Sequence, residues 1–184
     1  MRAKTAKWFE CKVRYEQTQE NGMQKMVTEQ FVVDAMSFAE AEARIIQEMS
    51  AYINGDFDVT DVKIAPYKEI FFMNGGETIL ANEEEKMSRA MKRGKVAAME
   101  QYDKKIDFNP DNADIRYYKA KLQFITYNDR TDKEKRQAVT YLVEASSLRN
   151  ALNNIDKVMV ETMTDYVQAS VSVTAIIDVF EHHV

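Results

Sequence analysis

Apolar and polar positions alternate near the start of the chain. Residues 9–15 carry an apolar side chain at every second position, which is typical of a strand with one buried face. Asn21-Gly22 then predicts a tight hairpin turn, because this pair readily adopts positive φ. Alternation resumes over residues 27–35, so the first 35 residues predict two antiparallel strands.

The pattern then changes to a helical period. Ser37, followed by Glu40 three residues later, predicts a capping box. Apolar residues recur every three or four positions over residues 38–52, which predicts a helix with one buried face. Residues 57–64 predict a third strand, which Pro66 ends or confines to a sheet edge. The order of elements is therefore β-β-α-β.

The same succession of patterns occurs again about 110 residues later. Three blocks correspond in the same order: 8–15 with 117–124, 31–38 with 141–148, and 62–64 with 171–173. An internal repeat of this kind indicates a duplicated unit. The second copy likewise predicts β-β-α-β, with Ser147 as the cap of its helix.

We predict an α+β fold in which two β-β-α-β repeats, residues 1–72 and 117–184, pack as one pseudo-two-fold unit. Three strands and one helix bury little surface alone, so the copies need each other. Residues 73–116 have no counterpart and form an inserted connector. Val32 and Leu142 are equivalent apolar positions opposite the helices. They are expected to line a contact between copies or between subunits.

The insertion is predicted to contain a charged helix over residues 82–106, since Asn82 and the acids after it suit a helix N-terminus. Lys86, Arg89 and Arg93 belong to a basic run on its exposed side. A solvated helix with compensating charges is the favoured interpretation. The alternative is an arm that contacts phosphates or a partner.

Charge and composition limit the classes of function. The chain has 25 Lys and Arg against 30 Asp and Glu, which gives a net charge of −5 and not the profile of a strongly basic DNA-binding protein. No apolar run is long enough to span a membrane. The single Cys11 excludes an intrachain disulfide and a zinc site with several thiolates. We expect a cytoplasmic globular protein.

The sequence shows no set of residues for catalysis. His182 and His183 lie beside the C-terminus and are interpreted as a frayed end. Glycine-rich phosphate loops, zinc-protease motifs and calcium loops are all missing. We therefore predict no catalytic residues, no metal and no cofactor, and the protein is expected not to be an enzyme.

One surface pattern suggests nucleic-acid binding. An aromatic residue followed by cations at a period of two places a ring and positive charges on one strand face, which suits single-stranded DNA or RNA. The residues are Trp8, Lys12 and Arg14 in the first copy, and Tyr117, Lys119 and Lys121 in the second. The alternative is that the two rings pack beneath a neighbouring element.

Three functions remain open. The leading one is a non-enzymatic interaction or adaptor module that binds a protein partner or forms a homodimer through a sheet face, with a patch around Val32 and Leu142. The second is a single-stranded nucleic-acid-binding protein that uses the aromatic and basic strand faces. The third is a small-ligand binder with its site in the seam between the copies, which rests on analogy with other duplicated folds.

The chain also resembles an uncharacterised domain family of unknown function associated with Bacteroidota and their phages. The matching blocks are Trp8–Val13, Val33–Glu42 and Tyr118–Leu122, and the resemblance covers residues 7–72 and 117–180. It implies a small bacterial intracellular protein and supplies no activity, cofactor or site residue. The charged insertion departs from the family, whose members join their copies more directly.

Overall fold

The structure is a computed structural model that describes residues 6–72, 115–128 and 133–182. The strands are β1 (Lys7–Thr18), β2 (Gln24–Ala35), β3 (Phe57–Ile64), β4 (Tyr67–Phe71), β5 (Arg116–Asn128), β6 (Lys133–Ala145), β7 (Asp165–Val173) and β8 (Ile176–Phe180). The helices are α1 (Phe38–Tyr52) and α2 (Leu148–Met159). The predicted helix over 82–106, with Lys86, Arg89 and Arg93, lies outside the described residues.

Each repeat has one strand more than the sequence predicted, in the order β-β-α-β-β. Pro66 ends β3 as expected, but a further strand, β4, begins at the next residue. The second repeat breaks at the equivalent place, between β7 and β8. At these corners the backbone N–H of Ala65 donates to the Trp8 carbonyl at 2.8 Å, and that of Thr174 donates to the Tyr117 carbonyl at 2.9 Å. The two corners thus share one hydrogen-bonding arrangement.

The additional strands are exchanged between the repeats. The first sheet has the order β3-β1-β2-β8 and the second has the order β4-β6-β5-β7. The exchanged strands pair in parallel: Val179 of β8 lies beside Val32 of β2, and Ile70 of β4 lies beside Leu142 of β6. Both sheets therefore contain strands from both repeats, and the duplicated unit is intertwined.

Each helix covers one face of the sheet formed mainly by its own repeat. Phe9, Cys11 and Val13 of β1 pack against Ile45 and Met49 of α1, and the second repeat builds the equivalent core. The predicted caps are confirmed: the Ser37 hydroxyl accepts from the Glu40 N–H at 3.2 Å, and the Ser147 hydroxyl accepts from the Asn150 N–H at 3.1 Å. An N-terminal cap of this kind stabilises a helix by about 1 kcal/mol.

The other faces of the two sheets pack against each other. The buried residues of this layer come from both repeats: Val32, Ala65, Tyr67, Ile70, Tyr117, Leu142, Ile176 and Val179. The layers therefore follow the order helix, sheet, sheet, helix. Val32 and Leu142 lie at the contact between the copies, which is one of the two places that the sequence predicted for them.

Candidate functional site

The two rings of the predicted nucleic-acid face do not face solvent. Tyr117 is only 7% exposed, and Trp8 is half-buried against the same layer between the sheets. The Tyr117 hydroxyl donates to Asp178 Oδ1 at 3.4 Å. Burial, with the nearby carboxylates of Glu144 and Asp178, raises the pKa of Tyr117. The prediction of two exposed stacking rings is wrong, because the second sheet covers the face that was assigned to solvent.

The predicted cations lie farther along the same strands. Arg14, Lys119 and Lys121 are exposed, and Lys12 Nζ lies 3.9 Å from Asp61 Oδ2 on β3. Without neighbouring rings they form no stacking platform of the kind that single-stranded nucleic acids use.

A buried carboxylate interrupts the cationic face on β1. Glu10 accepts a hydrogen bond from the Tyr67 hydroxyl at 2.6 Å and pairs with Lys63 Nζ at 2.8 Å. Burial and this contact with Glu10 raise the pKa of Tyr67.

The predicted docking patch around Val32 and Leu142 is not on the surface. Both side chains are fully buried in the layer between the sheets. A cavity at either position would weaken the contact that holds the two repeats together.

His182 is not a frayed end. Its ring Nδ1 lies 3.3 Å from Asp34 Oδ1, and its Nε2 lies 3.1 Å from Glu48 Oε1. Its backbone N–H also donates to Asp34 Oδ1 at 3.0 Å, and Arg44 Nη1 donates to the same oxygen at 2.8 Å. These contacts anchor the end of β8 to the first repeat. His183 lies outside the described residues.

A cleft of about 680 Å³ opens on the second repeat, between α2 and the second sheet. Its lining is Lys68, Glu69, Phe71, Phe124, Thr126, Gln137, Val139, Tyr141, Lys157, Val158, Met159, Thr162 and Thr164. Both copies contribute to the cleft, since β4 comes from the first repeat and the other lining elements come from the second. The cleft lies on the helix side of the second sheet, whereas the layer between the two sheets, where the copies meet, is filled by buried side chains.

The two repeats differ at the helix end that borders the cleft. In the first repeat α1 continues to Tyr52, whose ring centroid lies 6.5 Å from that of Phe180. In the second repeat α2 ends at Met159, and Thr162 stands at the sequence position equivalent to Tyr52. The ring equivalent to Phe180 is Phe71, so the cleft has a threonine where the first repeat has a tyrosine beside this ring.

Polar groups surround an aromatic floor in the cleft. Phe71 and Tyr141 lie with their ring centroids 5.4 Å apart, and Phe124 extends the apolar surface. Lys68 and Glu69 come from β4, and Lys157 comes from the last turn of α2. Burial and the Glu69 carboxylate raise the pKa of the Tyr141 hydroxyl, which keeps it protonated. This arrangement suits reversible binding of a partly apolar molecule.

The sequence contains one signal for the cleft, a difference in side-chain size between equivalent positions of the two repeats. When the copies are superimposed, the large ring of Tyr52 corresponds to the small Thr162. A change from an aromatic to a small residue at a position that covers a ring indicates lost packing. Within the described ranges, no group of three or more His, Cys, Asp or Glu side chains is placed to hold a metal ion.

Comparison with known proteins agrees with the duplication. A family model described as "Domain of unknown function (DUF4494)" matches residues 7–81 and matches again over residues 77–182. No curated protein matches the chain. Among the described residues, no helix has both the length and the apolar character needed to cross a bilayer.

Proposed function

The chain belongs to the DUF4494 family, and we propose that it is a non-enzymatic binding module whose ligand is a small, partly apolar molecule. The ligand occupies the cleft between α2 and the second sheet. This site differs from the seam between the copies that the sequence suggested, although both repeats contribute to its lining.

The observation that carries the proposal is the cleft itself. Its volume of about 680 Å³ lies within the roughly 300–1,000 Å³ typical of sites for small ligands. Aromatic and aliphatic side chains form the floor and a few polar groups lie around it, which is the usual composition of such sites. In the first repeat the ring centroid of Tyr52 lies 6.5 Å from that of Phe180, the residue equivalent to Phe71, whereas the second repeat has the small Thr162 at the position equivalent to Tyr52.

Two reactive groups outside the cleft are engaged in structural contacts. Burial raises the pKa of the Cys11 thiol to about 12, so the thiol is not a nucleophile near neutral pH. Both ring nitrogens of His182 face carboxylates. These contacts support a binding role over a catalytic one. The buried free thiol also suits a reducing compartment, and we propose a cytoplasmic location.

The experiment uses N-phenyl-1-naphthylamine, a neutral aromatic dye whose fluorescence rises in apolar surroundings. We expect saturable binding to the full chain. Thr162 lines the cleft, so Thr162→Tyr adds a ring at its wall, and we expect this variant to weaken dye binding at least about ten-fold by reducing the space for the dye. Met163→Tyr is the matched control, because Met163 is almost fully exposed and does not line the cleft.

The control separates filling of the cleft from the mere addition of a tyrosine. If the parent chain and Thr162→Tyr bind the dye equally well, the dye does not occupy the cleft. The same conclusion follows if Thr162→Tyr and Met163→Tyr lose dye affinity to the same extent. Absence of saturable binding to the parent chain would overturn the proposal directly. Urea unfolding of each variant verifies that the fold is retained.

A further inference from the structure

We infer that the ligand of this cleft is an aromatic anion: a flat apolar ring system that carries one acidic group. The inference rests on the proposed function and adds the chemical class of the ligand. It depends on the shape of the floor and on the charges around it, which are separate observations.

The floor presents ring surfaces. The ring planes of Phe71 and Tyr141 differ by 31°, and because Tyr141 is only 4% exposed, the half-buried Phe71 presents most of the accessible ring surface of this pair. Phe124 lies beside them and contacts Tyr166, at a centroid distance of 6.1 Å. Aromatic side chains in such a position favour flat apolar groups, which can stack on the ring faces or contact the ring edges.

The charges at the cleft favour an anion. Lys68 on β4 and Lys157 on α2 line it from two sides, and Glu69 is the one acidic residue among its described lining residues. The lining therefore has a net positive charge in a chain whose net charge is −5. The protonated Tyr141 hydroxyl adds a neutral donor close to Glu69. A cationic ligand would meet two like charges and one opposite charge.

Comparison of the repeats connects these cations to the opening. The position equivalent to Lys68 is Ile177, and the position equivalent to Lys157 is Gln47. The carboxylate is common to both repeats, since Asp178 corresponds to Glu69. The cleft is therefore lined by one lysine from each repeat, and neither lysine has a charged counterpart at its equivalent position. A role in binding explains why both cations line the cleft.

The test compares two dyes of similar shape. 1-Anilinonaphthalene-8-sulfonate carries a negative charge, and N-phenyl-1-naphthylamine is its neutral counterpart. The measured quantity is the ratio of their affinities for the full chain. We expect Lys68→Gln/Lys157→Gln to lower the preference for the sulfonate about three- to ten-fold, since charge contacts at partly exposed positions are individually weak. The preference should also fall with added salt.

The matched control is Lys119→Gln/Lys121→Gln. It removes the same charge from exposed positions of β5 outside the cleft. We expect it to leave the affinity ratio unchanged. If the affinity ratio falls equally in both double variants, only net charge matters and the inference is overturned. An unchanged ratio in both double variants would also overturn it.

The two proposals fail in different ways. Saturable binding of the neutral dye that Thr162→Tyr abolishes, together with no lysine-dependent preference for the sulfonate, would reject the aromatic anion and leave the cleft as a binding site. If the substitution at position 162 changes the binding affinity of neither dye, the proposed function itself is wrong. Sulfonate bound equally by the parent chain and Thr162→Tyr would indicate contact with apolar surface elsewhere and would also count against both proposals.

Discussion

The two repeats share one order of elements and differ in where they place bulk and charge. The first repeat ends its helix with Tyr52 and surrounds the buried Asp34 with Arg44 and His182. The second repeat has Thr162 and Asn154 at the positions of Tyr52 and Arg44. An aromatic ring and a cation in one copy thus correspond to a small side chain and a neutral amide in the other. The duplicated elements are kept, while the side chains at equivalent positions have diverged.

Strand exchange makes these differences interdependent. The cleft of the second repeat uses Lys68, Glu69 and Phe71 from β4, which belongs to the first repeat. The charged cluster of the first repeat uses His182, which follows β8 of the second. The first repeat therefore contributes residues to the cleft of the second repeat, and the second repeat contributes His182 to the charged cluster of the first. Removing one exchanged strand tests whether the repeats depend on each other. Single substitutions at equivalent positions test which side chains distinguish them.

The largest expected effect follows removal of one exchanged strand. A chain that ends at Thr174 lacks β8 and with it the buried Ile176 and Val179. Full burial of an aliphatic side chain contributes about 1.5–3 kcal/mol, so the loss is roughly 3–6 kcal/mol before the contacts of His182 are counted. Most small domains have little more stability than this. We expect a chain that does not fold cooperatively, measured by urea unfolding.

Ile177→Ser is the control for this truncation, because Ile177 lies on β8 but is 57% exposed. We expect nearly normal stability for it. A truncated chain with unchanged cooperative unfolding would mean that the first sheet is stable without its fourth strand. The exchange would then not be what couples the repeats.

Much of the fold was predictable because its signals are local. The alternation of β1 and β2, the caps at Ser37 and Ser147, and the turn at Gly22, whose φ is 78°, depend on neighbouring residues alone. The exchange was not predictable in this way. Pro66 indicates where β3 ends, but nothing local states that the next strand joins the sheet of the other repeat, since that choice depends on distant partners.

The candidate site was harder to predict from the sequence for a related reason. An alternating strand such as β1 has the same pattern whether its second face meets water or another sheet, so Trp8 and Tyr117 were assigned to solvent. The cleft borders the end of α2, which stops about one turn earlier than α1. Helix ends are the least certain part of any sequence-based assignment. Packing of the second sheet therefore decided the first outcome, and an uncertain helix end affected the second.

The next effect concerns the buried thiol, which only the first repeat has. Cys11 corresponds to Ala120, and burial raises its pKa from 9.0 to about 12. Between these values the unfolded chain releases the proton and the folded chain retains it, so stability falls as pH rises. This fall amounts to about 1.4 kcal/mol per pH unit for one group. Cys11→Ala should remove that contribution.

The measurement is urea unfolding of the parent chain and Cys11→Ala at several pH values from 8 to 11. The buried tyrosines remain in both proteins, so the difference between the two curves isolates the thiol. We expect the curves to run parallel below about pH 9 and to converge above it, because only the parent chain loses the contribution. Parallel curves over the whole range would contradict a buried, protonated thiol.

The smallest expected effects compare the charged cluster with its neutral counterpart. Arg44→Asn gives the first repeat the residue of the second and removes the cation from Asp34, which is 5% exposed. Hydrogen bonds to buried charges contribute roughly 1.5–3 kcal/mol, and we expect a loss of that size. In the second repeat Asn154 Nδ2 donates to the Glu144 carbonyl at 3.2 Å. Asn154→Ala should cost only about 0.5–1.5 kcal/mol.

A double variant decides whether charge is the cause of that difference. Asp34→Asn/Arg44→Asn removes the anion together with its cation, so no unpaired buried charge remains. The double variant should lose less stability than the sum of the losses measured for Asp34→Asn alone and Arg44→Asn alone, because these two partners interact directly. Strict additivity would mean that Arg44 acts through packing of its stem and not through its charge. The two repeats would then differ in shape alone at this position, and the anchoring of β8 would rest on His182 and Asp34.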